Sequence, residues 1–426
     1  MKKALIITYY WPPAGGPGVQ RWLKFVTYLK EFNIEPIVYI PKNPTYPIQD
    51  SNIKNEIPRD VKIITQPIFE PYGFASKFSK KNTSTISKGI IPEQKKQHWK
   101  DKLLLWIRGN FFIPDARKFW IKPSIKFLTS YIEKHSIDTI ITTGPPHSIH
   151  LIGLGLKEKH TLKWIADFRD PWTTIGYHQK LKLSDWSKKR HLKFEKQVLD
   201  TSDQLIVTSW GTLKEFETKT NTPIQVITNG FEETKALKIA LDQKFTLSHI
   251  GSLLSERNPK NLWLALSELV KENNDFAQQF QLKLAGVVSK AIIDSIYDAK
   301  LKDHLTILGY ISHTEALRLQ QQSQLLLLIE IDSEITKAII PGKLFEYLKA
   351  QRPILGIGPK NADFSTIIKE TNSGTFFLYE EKEALKSQIL KYFNRYLEND
   401  LNVNSKNIQK YTRKSLTEQL SILIHK

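Results

Sequence analysis

Two apolar patterns alternate along this chain. Short, nearly continuous aliphatic runs, such as DTIITTG (138–144), QLIVTS (204–209) and SQLLLLIEI (323–331), are separated by segments whose apolar residues return every three or four positions. The first kind reads as strands buried on both faces of a sheet, the second as amphipathic helices packed over them. In the first half the pattern predicts strands at 3–10, 34–40, 61–67, 138–144, 164–168, 204–209 and 224–229. Helices are predicted at 19–31, 98–108, 116–135, 147–160, 185–201 and 210–219. The polar stretch EETKALKIALDQK (232–244) has no strand character and reads as a linker. Beyond it the pattern restarts, with strands at 245–252, 280–287, 305–311, 323–331, 352–358 and 374–379. Helices are predicted there at 258–273, 289–298, 313–320 and from Lys343 onward, and two helical stretches beyond 381 are separated near Asn399–Asn404.

Such alternation builds parallel sheets with helices on both faces, the α/β class. Two Rossmann-like domains are expected, at 1–231 with an insertion over 70–115, and at 245–380. C-terminal helices at 381–426 would pack back on the N-terminal domain. Ligands in open parallel sheets bind outside the carboxyl ends of the strands. The loops that follow strands, and the cleft between two facing domains, are therefore where chemistry is expected.

One such loop opens AIIPGKLFEYLKAQRP (338–353). Pro341-Gly342 ends the loop, and Lys343 opens a helix carrying Leu344, Tyr347 and Leu348. Free backbone N–H groups at Gly342, Lys343 and Leu344, beside a lysine, form an anion site. Glu346, one turn further on, faces the same opening and suits the paired hydroxyls of a sugar. Diphosphate plus ribose is what a nucleotide-sugar presents. The alternative is an ordinary amphipathic helix.

Four other loops carry chemistry-bearing residues. HIGSLLSERNPKNL (249–262) contains Gly251, Ser252 and Arg257. A guanidinium forks onto phosphate oxygens and keeps its proton, although a surface arginine is the plainer reading. YYWPPAGGPGVQR (9–21) places Gly15, Gly16 and Gly18 where a backbone approaches another molecule or simply turns tightly. It lacks the G-x-G-x-x-G dinucleotide spacing. TTGPPHSIHL (142–151) puts His147 at a helix N-terminus, biased neutral and able to meet substrate hydroxyls, or else a satisfied cap-region histidine; His150 reads as structural. ADFRDPW (166–172) packs Asp167, Arg169 and Asp170 at a strand's carboxyl end, as a substrate contact or a salt-bridged turn.

Composition narrows the classes. The chain has 426 residues, no cysteine and eleven histidines without HExxH spacing, so metal independence is the default. No G-x-S-x-G elbow or P-loop appears, which weighs against hydrolase and ATPase readings. No signal-peptide pattern or membrane-spanning run is present, and a cytoplasmic protein is expected, either soluble or peripheral on the inner leaflet. The net charge of +19 implies an anionic partner. Eight lysines (77, 80, 81, 88, 95, 96, 100, 102) stand against Glu93 and Asp101, directly before LLLWIRGNFFIP (103–114). Lysines beside Trp, Leu and Phe suit an anionic membrane surface. The alternative there is a solvated loop, and nucleic acid is not expected because no recognition motif is present.

The segments 341–348 and 164–172 resemble those of family 4 retaining glycosyltransferases of bacterial polysaccharide biosynthesis, and the likeness extends over nearly the whole chain. The resemblance implies a GT-B fold, an α/β pair of facing Rossmann-like domains. It implies transfer of a sugar from a nucleotide-sugar, UDP- or GDP-sugar first, to a hydroxyl of a glycan or lipid-linked glycan, with no cofactor and no dedicated protein base. Glu346 matches the family's ribose-binding glutamate. Its partner eight positions earlier falls at Ala338, so the chain departs from the pattern there; Glu330, Asp332 and Glu334 either substitute or form a solvated loop, the latter favoured. Of the two cations that neutralise the family's diphosphate, one is replaced by Ser252 and the other stands as Arg257, with Lys260 or Lys343 restoring charge. The resemblance implies His147, Arg169, Asp170, Arg257 and Lys343 as catalytic. It implies Gly16, Gly18, Gly251, Ser252, Tyr310, Gly342, Lys343, Leu344 and Glu346 as nucleotide-sugar-binding. The alternatives are a GT-B-fold sugar-nucleotide epimerase and a non-catalytic protein binding anionic surfaces or nucleic acid.

Overall fold

A computed structural model describes residues 1–50, 52–70, 99–179, 181–233 and 239–426. The lysines from 77 to 96 and part of the 232–244 linker lie outside the described residues. The chain divides into two compact units, Met1–Asn229 with Arg413–Lys426, and Gly230–Thr412.

The first unit is built on seven strands: β1 Lys2–Thr8, β2 Ile34–Lys42, β3 Lys62–Pro67, β4 Thr139–Gly144, β5 Lys163–Phe168, β6 Gln204–Val207 and β7 Ile224–Val226. They form one sheet in the order β3-β2-β1-β4-β5-β6-β7. Each neighbouring pair is parallel. Successive side chains point to opposite faces, and both faces are covered. Leu5, Ile7, Ile140, Trp164, Ala166, Phe168, Leu205 and Val207 enter one apolar cluster. Ala4, Ile6, Ile141, Ile165 and Ile206 enter the other. Two-sided burial is why the central strands β1, β4 and β5 carry no polar alternation in the sequence, while the edge strand β3 is largely exposed. The second cluster is completed by Leu416, Leu420 and Ile424 of the last helix, Arg413–His425, which packs in this unit.

The second unit carries β8 Phe245–Ile250, β9 Phe280–Ala285, β10 Leu305–Gly309, β11 Leu325–Ile329, β12 Ile354–Ile357 and β13 Gly374–Phe377. Their order is β10-β9-β8-β11-β12-β13, again parallel throughout. Phe245, Leu247, Leu282, Leu284, Leu327 and Leu355 gather in one core with Trp263, Leu266 and Phe393. Helix starts follow local chemistry. The Ser312 side chain accepts from the Glu315 amide while Glu315 reaches back to Ser312, a reciprocal cap that opens His313–Gln322.

Both sheets reverse their strand order once, between β1 and β4 and between β8 and β11. At such a switch point two neighbouring loops part in opposite directions and leave a crevice at the carboxyl ends of the strands. Residues 9–18 and 144–147 flank the first crevice. Residues 251–258 and 330–342 flank the second.

Candidate functional site

At the second crevice the helix Lys343–Ala350 starts directly beneath the loop after β8. Gly251 has φ 124°, and a Cβ there would come within 2.8 Å of Lys343 Nζ. That position therefore needs glycine twice over, for its backbone and for the close approach of the amine. Lys343 Nζ donates to His249 Nε2 at 3.2 Å. The opposite ring nitrogen, His249 Nδ1, lies 3.0 Å from the Leu327 carbonyl, which only accepts. The proton therefore sits on Nδ1 and leaves Nε2 as acceptor for the lysine. His249 is fully buried, and its pKa is held far below the ordinary value, first by desolvation and then by the Lys343 charge. Desolvation, with help from Arg257, brings Lys343 down to about 8, against the opposing pull of Glu330 and Glu346.

Arg257 donates from Nη2 and Nε to Glu330 Oε1 at 2.8 and 3.1 Å. Glu330 is 1 % exposed, whereas Asp332 and Glu334 face solvent. The solvated-loop expectation thus holds for two of the three acids, and Glu330 is the buried anchor of Arg257. Glu346 accepts from Gln320 Nε2 at 2.9 Å and is half-buried.

Leu344 is fully buried, and its amide donates to the Pro341 carbonyl at 2.9 Å. That amide is already engaged in the turn that starts the helix, so the anion site expected over residues 342–344 rests on Gly342 and Lys343. Ser252 is exposed beside Gly251. Tyr310 stands 90 % exposed just past the edge strand β10, apart from the cluster at β8 and β11.

The first crevice is organised differently. Asp167 is fully buried and accepts from Trp22 Nε1 at 2.7 Å, Thr143 Oγ1 at 2.8 Å and Arg21 Nη2 at 3.1 Å. It ties β5 to the first helix and belongs to the core, not to a substrate surface. Arg169 donates from Nε to the Gly144 carbonyl at 3.3 Å and from Nη2 to the Pro145 carbonyl. A Cβ at Gly18 would overlap Arg169 Nη1, so Gly18 makes room for this guanidinium. Gly16 caps the helix Pro17–Tyr28. Asp170 is exposed, next in sequence to Arg169 at the carboxyl end of β5. His147 precedes the helix Ser148–Lys157, is 4 % exposed, and stacks on Trp172 with ring centroids 4.8 Å apart and planes 4° apart. Burial, then the neighbouring His150, holds its pKa well below the usual histidine value, so the ring is neutral.

Sequence reasoning brought Arg257, Lys343, Gly251, Gly342 and Glu346 to one crevice and His147, Arg169, Asp170, Gly16 and Gly18 to the other. It missed His249, Glu330 and Gln320 as working partners. The signal for His249 was present: it is the one ionisable residue of the buried strand FTLSHI, two positions before a glycine. Among the described residues no group of three His, Cys, Asp or Glu side chains is arranged to hold a metal.

Two parallel α/β units with these strand orders define the GT-B fold. Solved structures share it over the full chain. Sucrose-phosphate synthase from Thermosynechococcus elongatus is 13 % identical, with TM-score 0.58, covering 100 % of this chain and 98 % of that one. A mutant of S. aureus TarM, solved with fondaparinux, alpha-GlcNAc-glycerol and UDP, is 12 % identical with TM-score 0.56 and covers 100 % of both chains. A putative UDP-N-acetylglucosamine 2-epimerase from Listeria monocytogenes is 11 % identical with TM-score 0.54, covering 100 % and 96 %. No family model and no curated protein matches this chain.

Proposed function

We propose that this chain is a glycosyltransferase that moves a sugar from a nucleotide-sugar to a hydroxyl of a glycan or lipid-linked glycan acceptor. The observation that carries the reading is Lys343 Nζ held against Gly251 and His249 at the β8/β11 switch point, with Glu346 one turn along the same helix. An ammonium and a guanidinium fixed before the substrate arrives stabilise the charge that develops on a leaving diphosphate, the main catalytic contribution in such chemistry. Lys343 and Arg257 take that role, and Glu346 takes the ribose. The donor carries UDP or GDP, and transfer retains the anomeric configuration because the leaving phosphate itself relieves the acceptor of its proton. A thermal-shift panel of UDP, GDP, ADP and dTDP tests the reading: one diphosphate should stabilise the protein, and no response to any of them would overturn it. Transfer should persist in EDTA; loss that magnesium or manganese restores would overturn metal independence.

The likeness to a putative epimerase supports a second reading, in which the donor alone is converted. Incubating nucleotide-sugar without acceptor separates the two, since only an epimerase then forms a new sugar-nucleotide.

The first unit supports docking on an anionic membrane. Leu103, Trp106 and Phe111 of the helix Trp99–Phe111 are exposed, as is Phe119. Lys118 Nζ lies 5.3 and 5.2 Å from the Phe112 and Phe119 ring centres, a basic and aromatic surface suited to headgroups. Among the described residues no helix is long and apolar enough to cross a membrane. Sedimentation with phosphatidylglycerol vesicles should show binding that salt weakens without abolishing; equal pelleting with neutral vesicles would overturn it.

A further inference from the structure

Every residue of the strand Phe245–Ile250 is buried, and His249 is the only one that titrates. Burying an imidazole there costs desolvation that a leucine would avoid. What its two ring nitrogens do therefore decides what the residue is for. The β8–β11 ladder pairs Leu247 with Leu325 and Ser248 with Leu326, and ends there. One position on, the Leu327 carbonyl accepts from His249 Nδ1 at 3.0 Å and from the Tyr347 hydroxyl at 3.4 Å. That bond continues the tie between the strands beyond the ladder. Nε2 serves a different end, accepting from Lys343 Nζ at 3.2 Å. Among the described residues no other hydrogen bond or ion pair holds that amine; Glu330 is engaged by Arg257 and Glu346 by Gln320.

The kind of partner matters. A carboxylate in this place would neutralise the ammonium and compete with an incoming anion. A neutral imidazole gives the amine an acceptor and leaves its whole charge for the ligand. The ring stays neutral because desolvation, then Lys343 and Arg257, outweigh the Leu327 and Ser252 carbonyls that face it. On the amine itself, desolvation and then Arg257 oppose protonation, while Glu330 and Glu346 favour it. Gly251 makes the space for the contact, since a Cβ there would lie 2.8 Å from Nζ.

We infer that His249 is a positioning residue: its Nε2 lone pair holds Lys343 Nζ beneath Gly251 as an ammonium, aimed at the diphosphate of the nucleotide-sugar. The inference rests on the glycosyl-transfer reading for the identity of that anion; the contact itself does not depend on it. A histidine kept only to tie β8 to β11 would need Nδ1 alone, and that difference is measurable.

His249→Gln and His249→Asn in the full chain separate the two bonds. Glutamine places its amide oxygen near the Nε2 position and can accept from Lys343. Asparagine places its amide near Nδ1, donates to Leu327 and leaves the amine without an acceptor. Calorimetric titration with UDP, and with GDP if UDP does not bind, from about pH 6 to 9 reads the result. Anion binding is strongest while the amine is protonated and weakens as pH rises through its pKa. Losing a hydrogen bond to the charged form lowers that pKa. In His249→Asn the fall should therefore set in about one pH unit earlier than in the wild type, with affinity about fivefold lower at pH 8 and a smaller deficit at pH 6. His249→Gln should restore the wild-type profile. A wild-type profile in His249→Asn, or equal displacement in both variants, would overturn the proposal and leave His249 as a tie between strands. Either variant decides if only one folds. If neither does, His249→Leu, which suits the apolar strand and lacks both bonds, must show the early fall. Should UDP, GDP, ADP and dTDP all fail to bind the wild type, the glycosyl-transfer reading falls instead, and inorganic pyrophosphate serves as the probe. Its failure to bind would overturn the positioning of Lys343 as well.

Discussion

The carboxyl ends of the two sheets use charge in opposite ways. In the second unit the charged groups are held ready by neutral or acidic partners: Lys343 by His249, Arg257 by Glu330, and Glu346 by Gln320. In the first unit the strongest charges are consumed by the fold. Asp167 is locked to Arg21, Asp115 to Ser148, and Arg169 to backbone carbonyls. Among the described residues the unpartnered buried atoms there include both ring nitrogens of His147 and Nε2 of His178. The difference separates side-chain charge held ready at a strand end from charge spent on holding the fold together. The same architecture, a switch point between parallel strands, supports both, so the chemistry follows from which residues the strand ends carry.

The contrast breaks most visibly at Asp167. If its role is purely structural, Asp167→Ala should destabilise the protein by about 3–5 kcal/mol, because Arg21, 1 % exposed, is left as an uncompensated buried charge. Thermal unfolding should show the loss, while the folded fraction keeps its nucleotide affinity. A weakened affinity without loss of stability would move Asp167 into the site.

Lys343→Met should do the reverse, lowering turnover roughly 10²–10³-fold, the usual effect of removing one preorganised donor to a developing anion. Stability should change little or rise, since the amine is desolvated in the folded chain. Steady-state kinetics decide this, and a turnover within threefold of wild type would remove Lys343 from the diphosphate site.

Glu346→Gln should weaken the nucleoside diphosphate by about 1.5–3 kcal/mol, as for a hydrogen bond to a charged group. Calorimetric titration reads it. Unchanged affinity in the folded variant would leave Glu346 as a partner of Gln320 alone.

These residues differ in how legible they were. Lys343 and Glu346 share one helix and one turn, so their common face follows from helical spacing. The central strands, such as β1, β4, β5, β8 and β11, were visible as apolar runs because both faces of each sheet are covered there, whereas the edge strands β3 and β10 are partly exposed. The helix Asp363–Glu370 was not, since its Phe364, Ile367 and Ile368 span barely two turns and its ends are polar. His249 and Glu330 could not be paired with their partners from spacing. His249 meets the Leu327 carbonyl across 78 positions through the parallel alignment of β8 and β11, and Glu330 extends the end of that same β11. Of the two readings open for Asp167, a substrate contact or a salt bridge, the sequence could not choose for a related reason. A cluster of charges at a strand end signals function only when it reaches solvent, and the sequence does not record that Trp22 and Arg21 close over it.

The smallest expected effect sharpens the comparison most, because it singles out the ready charge by pH alone. Lys343 has its pKa lowered to about 8 in the unliganded protein, by desolvation first and by Arg257 second. An anionic diphosphate favours the protonated amine, so binding is at full strength below that value and weakens as pH rises through it. Each pH unit above it costs up to tenfold, about 1.4 kcal/mol, until the pKa reached in the complex. Between pH 7 and about 9 the nucleoside diphosphate should therefore lose up to about tenfold in affinity in the wild type and almost nothing in Lys343→Met. A terminal phosphate, with its second pKa near 6, is already about nine-tenths ionised at pH 7, and its remaining ionisation adds negative charge as pH rises, so it cannot mimic the trend. Calorimetry at four pH values measures it, and equal slopes in the two proteins would show that the amine beneath Gly251 is not the group that meets the diphosphate.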